Sequence, residues 1–97
     1  MVIGRVVGTC VSTQKDESLT GMKLLVVQQA DPTGKANGGV VVAVDSVGAG
    51  LGELVLYAAG SSARQTKLTQ NKPVDSVIMA IIDTLEIDGE VTFQKET

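Results

Sequence analysis

Four groups of residues in this sequence have types and spacings that could do chemistry. Gly48, Gly50 and Gly52 fall within five residues, a density suited to a loop that brings backbone N–H groups up to a phosphate. Ser61 and Ser62 follow Gly60, the setting in which a nucleophilic serine is often found. Cys10 is the one thiol. Asp45 and Glu53 flank the glycine run, and two converging carboxylates could share acid–base work.

None of the four completes a site. A dinucleotide fingerprint needs a third glycine at its sixth position and then a helix. Here the sixth position is Glu53, an anion, and Leu54-Val55-Leu56-Tyr57 reads as a strand. No Gly-Lys-Ser/Thr follows, which excludes a P-loop. A nucleophile elbow needs glycine two residues after its serine, and Ala63 and Arg64 stand there instead. The chain has no His. Neither a Ser-His nor a Cys-His pair can be built within it, and imidazole zinc sites are excluded. A lone cysteine makes no intrachain disulfide and no thiolate cluster. In its apolar run Cys10 reads as a small core residue, and one cysteine fits a reducing cytoplasm. The residues themselves therefore assign no catalytic group, no metal and no cofactor, and the chain does not read as an enzyme.

Size and charge narrow the classes further. The chain has 97 residues, so one domain over 1–97 is expected, with a small core. Its net charge is −3, from 8 basic and 11 acidic residues, and exerts no long-range attraction on nucleic acid or an anionic membrane. Tyr57 and Phe93 are the only aromatics, too few for the stacking platforms of a single-strand binder. Arg5 interrupts the N-terminal apolar run, and no run approaches the ~18 residues of a membrane span.

The elements that must position these groups are strands. Met1 to Val11 reads as the first, with Gly4 and Gly8 four apart on one face, marking bends or close backbone approach. Ser12 to Thr20 reads as a solvated connection. Lys23 to Val27 reads as the second strand, and Ala30 to Gly39, dense in turn residues, as an exposed loop. Val40 to Val44 and Gly52 to Ala58 form the third and fourth strands around the glycine connection. Ser61 or Ser62 is expected to cap a short helical turn over Ala63 to about Lys67. Thr69 to Lys72 reads as a mobile polar stretch, and Val77 to Ile82 as a fifth strand. Thr84 to Phe93 alternates around Asp88-Gly89, a hairpin with a primed turn. Gln94 to Thr97 is expected to fray. The expected fold is all-β: a small five-stranded OB-like barrel with one short helix and a C-terminal β-hairpin.

The sequence also resembles a known family over nearly its whole length. Ile3-Gly4-Arg5-Val6-Val7-Gly8-Thr9 is similar to the opening of the bacterial microcompartment vertex proteins, the EutN/CcmL family. The likeness continues through Lys23-Leu24-Leu25-Val26-Val27-Gln28 and is strongest from Val42 to Leu56. Gly60-Ser61-Ser62-Ala63-Arg64 and Asp75 to Asp83 complete it.

The resemblance implies a non-enzymatic shell component of a compartment in the bacterial cytoplasm. It implies an OB-like barrel that assembles as a pentamer and caps a five-fold vertex, with hexameric and trimeric facet proteins as partners. On that reading Gly48, Ala49 and Gly50 form the loop nearest the axis, with Ser61 and Ser62 as the second choice for a pore edge. Asp45 and Arg64, each at the edge of an apolar run, are the candidates to fix interface geometry. The alternative is an OB-fold module binding an oligonucleotide or a small ligand.

Overall fold

A computed structural model describes residues 1–96. Among the described residues there are seven strands: β1 Val2–Cys10, β2 Leu24–Ala30, β3 Ala36–Asp45, β4 Leu54–Ala59, β5 Ser76–Ile81, β6 Thr84–Ile87 and β7 Glu90–Gln94. Two 3₁₀ turns, Glu17–Leu19 and Gly60–Arg64, lie between them. The first five strands close a barrel in the order β1-β2-β3-β5-β4, and β6 and β7 pair as a separate ribbon. Four of the five barrel contacts are antiparallel. Closure depends on the fifth, a short parallel contact at Val44↔Val77 and Asp45↔Ile78.

Small apolar residues fill the barrel because its interior is narrow. Val6, Leu25, Val27, Ala43, Val55 and Ile78 are fully buried around Tyr57. Gly4 lies directly against that ring. A Cβ there would sit 2.5 Å from Val27 Cγ1 and 2.8 Å from Tyr57 Cε1. This glycine is therefore needed for close approach. At Gly8 the strand is irregular instead, since the register with β2 slips between Val6 and Gly8 and leaves Val7 as an extra residue.

Two smaller clusters lie outside the barrel. Val44, Ala58 and Val77 point outward and are covered by Ala63 and Val74 from the segment joining β4 to β5. Ala30, Leu54 and Ile82 are covered by Leu85 and Phe93, which root the ribbon. Asp88 and Gly89 at its tip have φ of 52° and 81°, as a primed turn requires.

The structure corrects several expectations. The loop expected over 30–39 is shorter, because β3 begins at Ala36. The Asp31 carboxylate accepts hydrogen bonds from Thr33 N at 2.9 Å, Lys35 N at 3.2 Å and Asn37 Nδ2 at 3.3 Å, which turns the chain early and lets Ala36 pair with Ala30. Ser61 and Ser62 do not cap a helix. They lie inside the turn, which starts after Ala59 with no side-chain cap. Thr69, expected in a mobile stretch, is fully buried. Its hydroxyl donates to Ala63 O and shares a 2.6 Å bond with Thr66 Oγ1. Lys95, expected to fray, is tied down by its N–H to Asp83 O at 2.7 Å. Thr97 of the expected fraying tail lies outside the described residues. Cys10 ends β1 half-buried instead of in the core, because its register partner Leu24 lies on the outward row.

Candidate functional site

The glycine connection between β3 and β4 is shaped by the two carboxylates that flank it. Asp45 Oδ1 accepts from the N–H groups of Val47, Gly48 and Ala49 at 3.1, 3.1 and 3.2 Å. Glu53 Oε1 accepts from Gly50 N at 2.6 Å. Four consecutive N–H groups are thereby satisfied from within the chain. An incoming phosphate would find those donors occupied and a carboxylate at each end. Gly48 and Gly52 have φ of 77° and 86°, where an L side chain is strained. This is the physical reason the connection needs glycine.

Each carboxylate has its own cation. Lys23 Nζ lies 3.6 Å from Asp45 Oδ2 and donates to Ala49 O at 3.1 Å. Lys95 Nζ lies 2.7 Å from Glu53 Oε2. The Lys95 hydrogen bond, helped by the Gly50 N–H, holds the Glu53 carboxyl below its usual range, and Glu53 in turn holds the Lys95 ammonium above its own. Asp45 and Glu53 face the same loop, but their oxygens serve backbone and lysine. Among the described residues no three His, Cys, Asp or Glu side chains gather where they could hold a metal ion.

The residues singled out from the sequence fall into three settings. Gly48 is exposed and Gly50 is half-buried on the connection, while Ala49 between them is fully buried in the barrel core beside Ala43. Ser61 and Ser62 are exposed on the 3₁₀ turn. Asp45 is buried and spends its oxygens on its own loop. Arg64 donates to Val74 O at 3.1 Å, bracing the segment that carries Ala63 and Thr69. The structure brings Asp45, Gly48, Ala49 and Gly50 together, and places Ser61, Ser62 and Arg64 on a separate element.

Arg5 was not anticipated as a structural centre. Its guanidinium donates to Gly34 O at 2.9 Å and Gly52 O at 2.7 Å and lies 5.8 Å from the Phe93 ring centroid. It joins the β2–β3 turn, the glycine connection and the ribbon. A charged residue inside an otherwise apolar first strand was the available signal.

The outer surface is more apolar than an antiparallel barrel facing water requires. Val7, Val40 and Val42 are 44%, 58% and 46% exposed on β1 and β3. A groove of about 530 Å³ opens beside the second 3₁₀ turn, lined by Met1, Ala58, Ala59, Ser62 and Met79 among others.

The chain is similar to proteins that form vertices of bacterial shells. The family model described as ethanolamine utilisation protein EutN/carboxysome matches residues 1–83. The carboxysome shell vertex protein CcmL of Gloeobacter violaceus is 46% identical over 96 residues, covering 99% of this chain and 96% of its own. The solved structure of CcmL from Nostoc sp. PCC 7120 matches with a TM-score of 0.93 at 47% identity, covering 98% of this chain and 100% of its own. A pentameric microcompartment shell protein, GrpN from Rhodospirillum rubrum, matches with a TM-score of 0.81 at 46% identity, covering 90% of this chain and 99% of its own.

Proposed function

The chain belongs to the EutN/CcmL family, and from that premise we propose that it is a structural shell protein. Five copies close a ring that caps a vertex of a polyhedral microcompartment in the bacterial cytoplasm. The protein is not an enzyme. The observation that carries this reading is the end-to-end match, in sequence and in barrel, to shell vertex proteins, one of them described as pentameric.

The physical chemistry supports it. A 97-residue domain with a thin core gains stability when a second surface is buried. The glycine connection has no free cradle for an anion, because the N–H groups of residues 47–50 are already bonded. What the molecule offers instead is exposed apolar surface, which marks association.

The partners follow from the role. Hexameric and trimeric facet proteins of the same compartment surround the ring. Gly48 and Gly50 on the connection are proposed to border the five-fold axis, with Ser61 and Ser62 on the 3₁₀ turn as the second choice. Ala49 supports that loop from inside the core, and Asp45 and Arg64 hold their segments in shape for the interface.

Mass in solution tests the reading. Five chains of 10.0 kDa predict a species of about 50 kDa by native mass spectrometry. A monomer at micromolar concentration would overturn it.

A further inference from the structure

The net charge of this chain sits on its ribbon. Residues 1–83 carry seven acidic and seven basic side chains and are neutral as a unit. Residues 84–97 carry Glu86, Asp88, Glu90 and Glu96 against Lys95 alone, which accounts for the whole −3. Lys95 is already engaged by Glu53 at 2.7 Å. Among the described residues the ion pairs are Lys95–Glu53 and Lys23–Asp45, so Glu86, Asp88 and Glu90 have no cation of their own.

The ribbon also has open edges and exposed apolar side chains. β6 and β7 pair with each other and, among the described residues, with no third strand. Each outer edge therefore presents a row of unpaired N–H and C=O groups. Leu85 and Phe93 pack on the barrel, but every residue from Glu86 to Val91 is exposed. Ile87 and Val91 are 47% and 55% exposed. Register puts Ile87 opposite Glu90 and Val91 opposite Glu86, and directly opposed residues share a face. Each face of the tip thus carries one β-branched side chain beside one carboxylate. Proteins usually blunt an open edge with Lys, Pro or a bulge. Thr84-Leu85-Glu86-Ile87 holds no Lys and no Pro, and the register slip leaves its extra residue, Thr92, on β7. What guards the β6 edge is its charge. A second copy would bring carboxylates against carboxylates, which is destabilising.

We propose that the β6 edge of the ribbon docks an extended segment of another protein in which basic and apolar side chains alternate. Strand addition supplies the main-chain hydrogen bonds, and the side chains on the two faces supply the selection. An added strand continues the alternation of β6. The residue beside Ile87 meets an apolar side chain, and the residue beside Glu86 meets a carboxylate that has no cation. Opposite charges across strands are favourable where like charges are not, so the edge that rejects its own copy admits a cationic strand. The site lies beyond residues 1–83, the part the family model spans, and is complete in a single copy of the chain.

The test is fluorescence anisotropy of a labelled peptide of alternating lysine and valine, titrated with the full chain at physiological salt. Binding that saturates below about 1 mM is expected. Glu86→Lys and Ile87→Ser should each weaken it by about tenfold, and Glu17→Lys, at an exposed acid on the β1–β2 connection, should leave it unchanged. Positions 17, 86 and 87 are all exposed, so the fold should tolerate each change; far-UV circular dichroism and thermal melting check that it does. A peptide with the same residues in two blocks should bind about tenfold more weakly, and one N-methylated at alternate amides should not bind, because it cannot pair with an edge. Absence of saturation overturns the proposal. Equal binding of the block peptide, or equal weakening by Glu17→Lys, shows diffuse charge attraction and also overturns it. Undiminished binding of the N-methylated peptide removes the strand-addition mode. A native mass of the chain alone that falls in Ile87→Ser shows that a second copy fills the edge, and overturns the proposal as well.

Discussion

Lys95 Nζ sits 2.7 Å from Glu53 Oε2, joining the end of the ribbon to a residue 42 positions earlier at the entrance to β4. The other oxygen of the same carboxylate holds Gly50 N at 2.6 Å. One glutamate therefore fixes both the glycine connection and the C-terminal segment.

The pair makes stability depend on pH in a defined way. The folded Glu53 carboxyl is held below its ordinary value of 4.5, first by the Lys95 hydrogen bond and then by the Gly50 N–H. Its contribution is complete above that value and is lost as pH falls through the depressed one. The folded Lys95 ammonium is held above 10.5, chiefly by Glu53. Its contribution is complete below that value and is lost as pH rises through the raised one. The stabilisation is therefore flat between about pH 5 and about pH 10 and declines on both sides. The difference in Tm between wild type and Glu53→Gln should shrink on going from pH 7 to pH 3. A constant difference would show that the ion pair contributes nothing.

Gly4 should tolerate no side chain. A Cβ there meets Val27 and Tyr57 inside 3 Å, and neither neighbour can retreat from a closed barrel. Gly4→Ala is expected to cost about 1–3 kcal/mol through overpacking, read as a lower urea midpoint. Gly39→Ala is the control, because a Cβ at Gly39 has no atom within 4 Å. Equal midpoints for the two variants would remove the close-packing account.

Asp45→Ala should loosen the connection without dissolving the barrel. It removes the acceptor shared by the N–H groups of Val47, Gly48 and Ala49, and Ala49 N is buried. A loss of about 2–3 kcal/mol follows from the orphaned donors. Asp45→Asn keeps an acceptor oxygen and should lose less. Hydrogen exchange should show those three amides losing protection first, and protection as strong as in the wild type would contradict the assignment.

Thr69 should behave as a buried tie. Its hydroxyl bonds Ala63 O and Thr66 Oγ1 at full burial. Thr69→Val keeps the shape, strands the Ala63 carbonyl, and is expected to cost about 1–3 kcal/mol. Thr69→Ser should recover most of it. If valine is as stable as threonine in thermal melting, the hydroxyl is not what orders residues 65–72.

Much of the candidate site was visible in the sequence only as residue types. Glycines at 48, 50 and 52 announced a tight connection, and Gly48 and Gly52 do adopt positive φ. That Asp45 and Glu53 would share its N–H groups between them was not legible, because the argument needs their carboxylates aimed at one loop. The Ser61-Ser62 pair suggested a cap, but no cap bond forms, since the turn already starts at Gly60 and takes both serines into its interior. Arg5 could be seen as an odd charge in an apolar strand, yet its partners Gly34 and Gly52 are 29 and 47 residues away.

Local chemistry decided the strands, the Asp88-Gly89 hairpin and the exclusion of any chemistry that needs histidine, because alternation, turn residues and composition are properties of neighbours along the chain. Only the tertiary structure decided which faces are inside. In Val40-Val41-Val42-Ala43-Val44 every residue is apolar, so a period of two cannot tell core from surface. Barrel closure through Val44↔Val77 turns Ala43 inward and leaves Val40 and Val42 exposed. Which apolar face stays exposed is set by that closure, a contact between residues 33 positions apart.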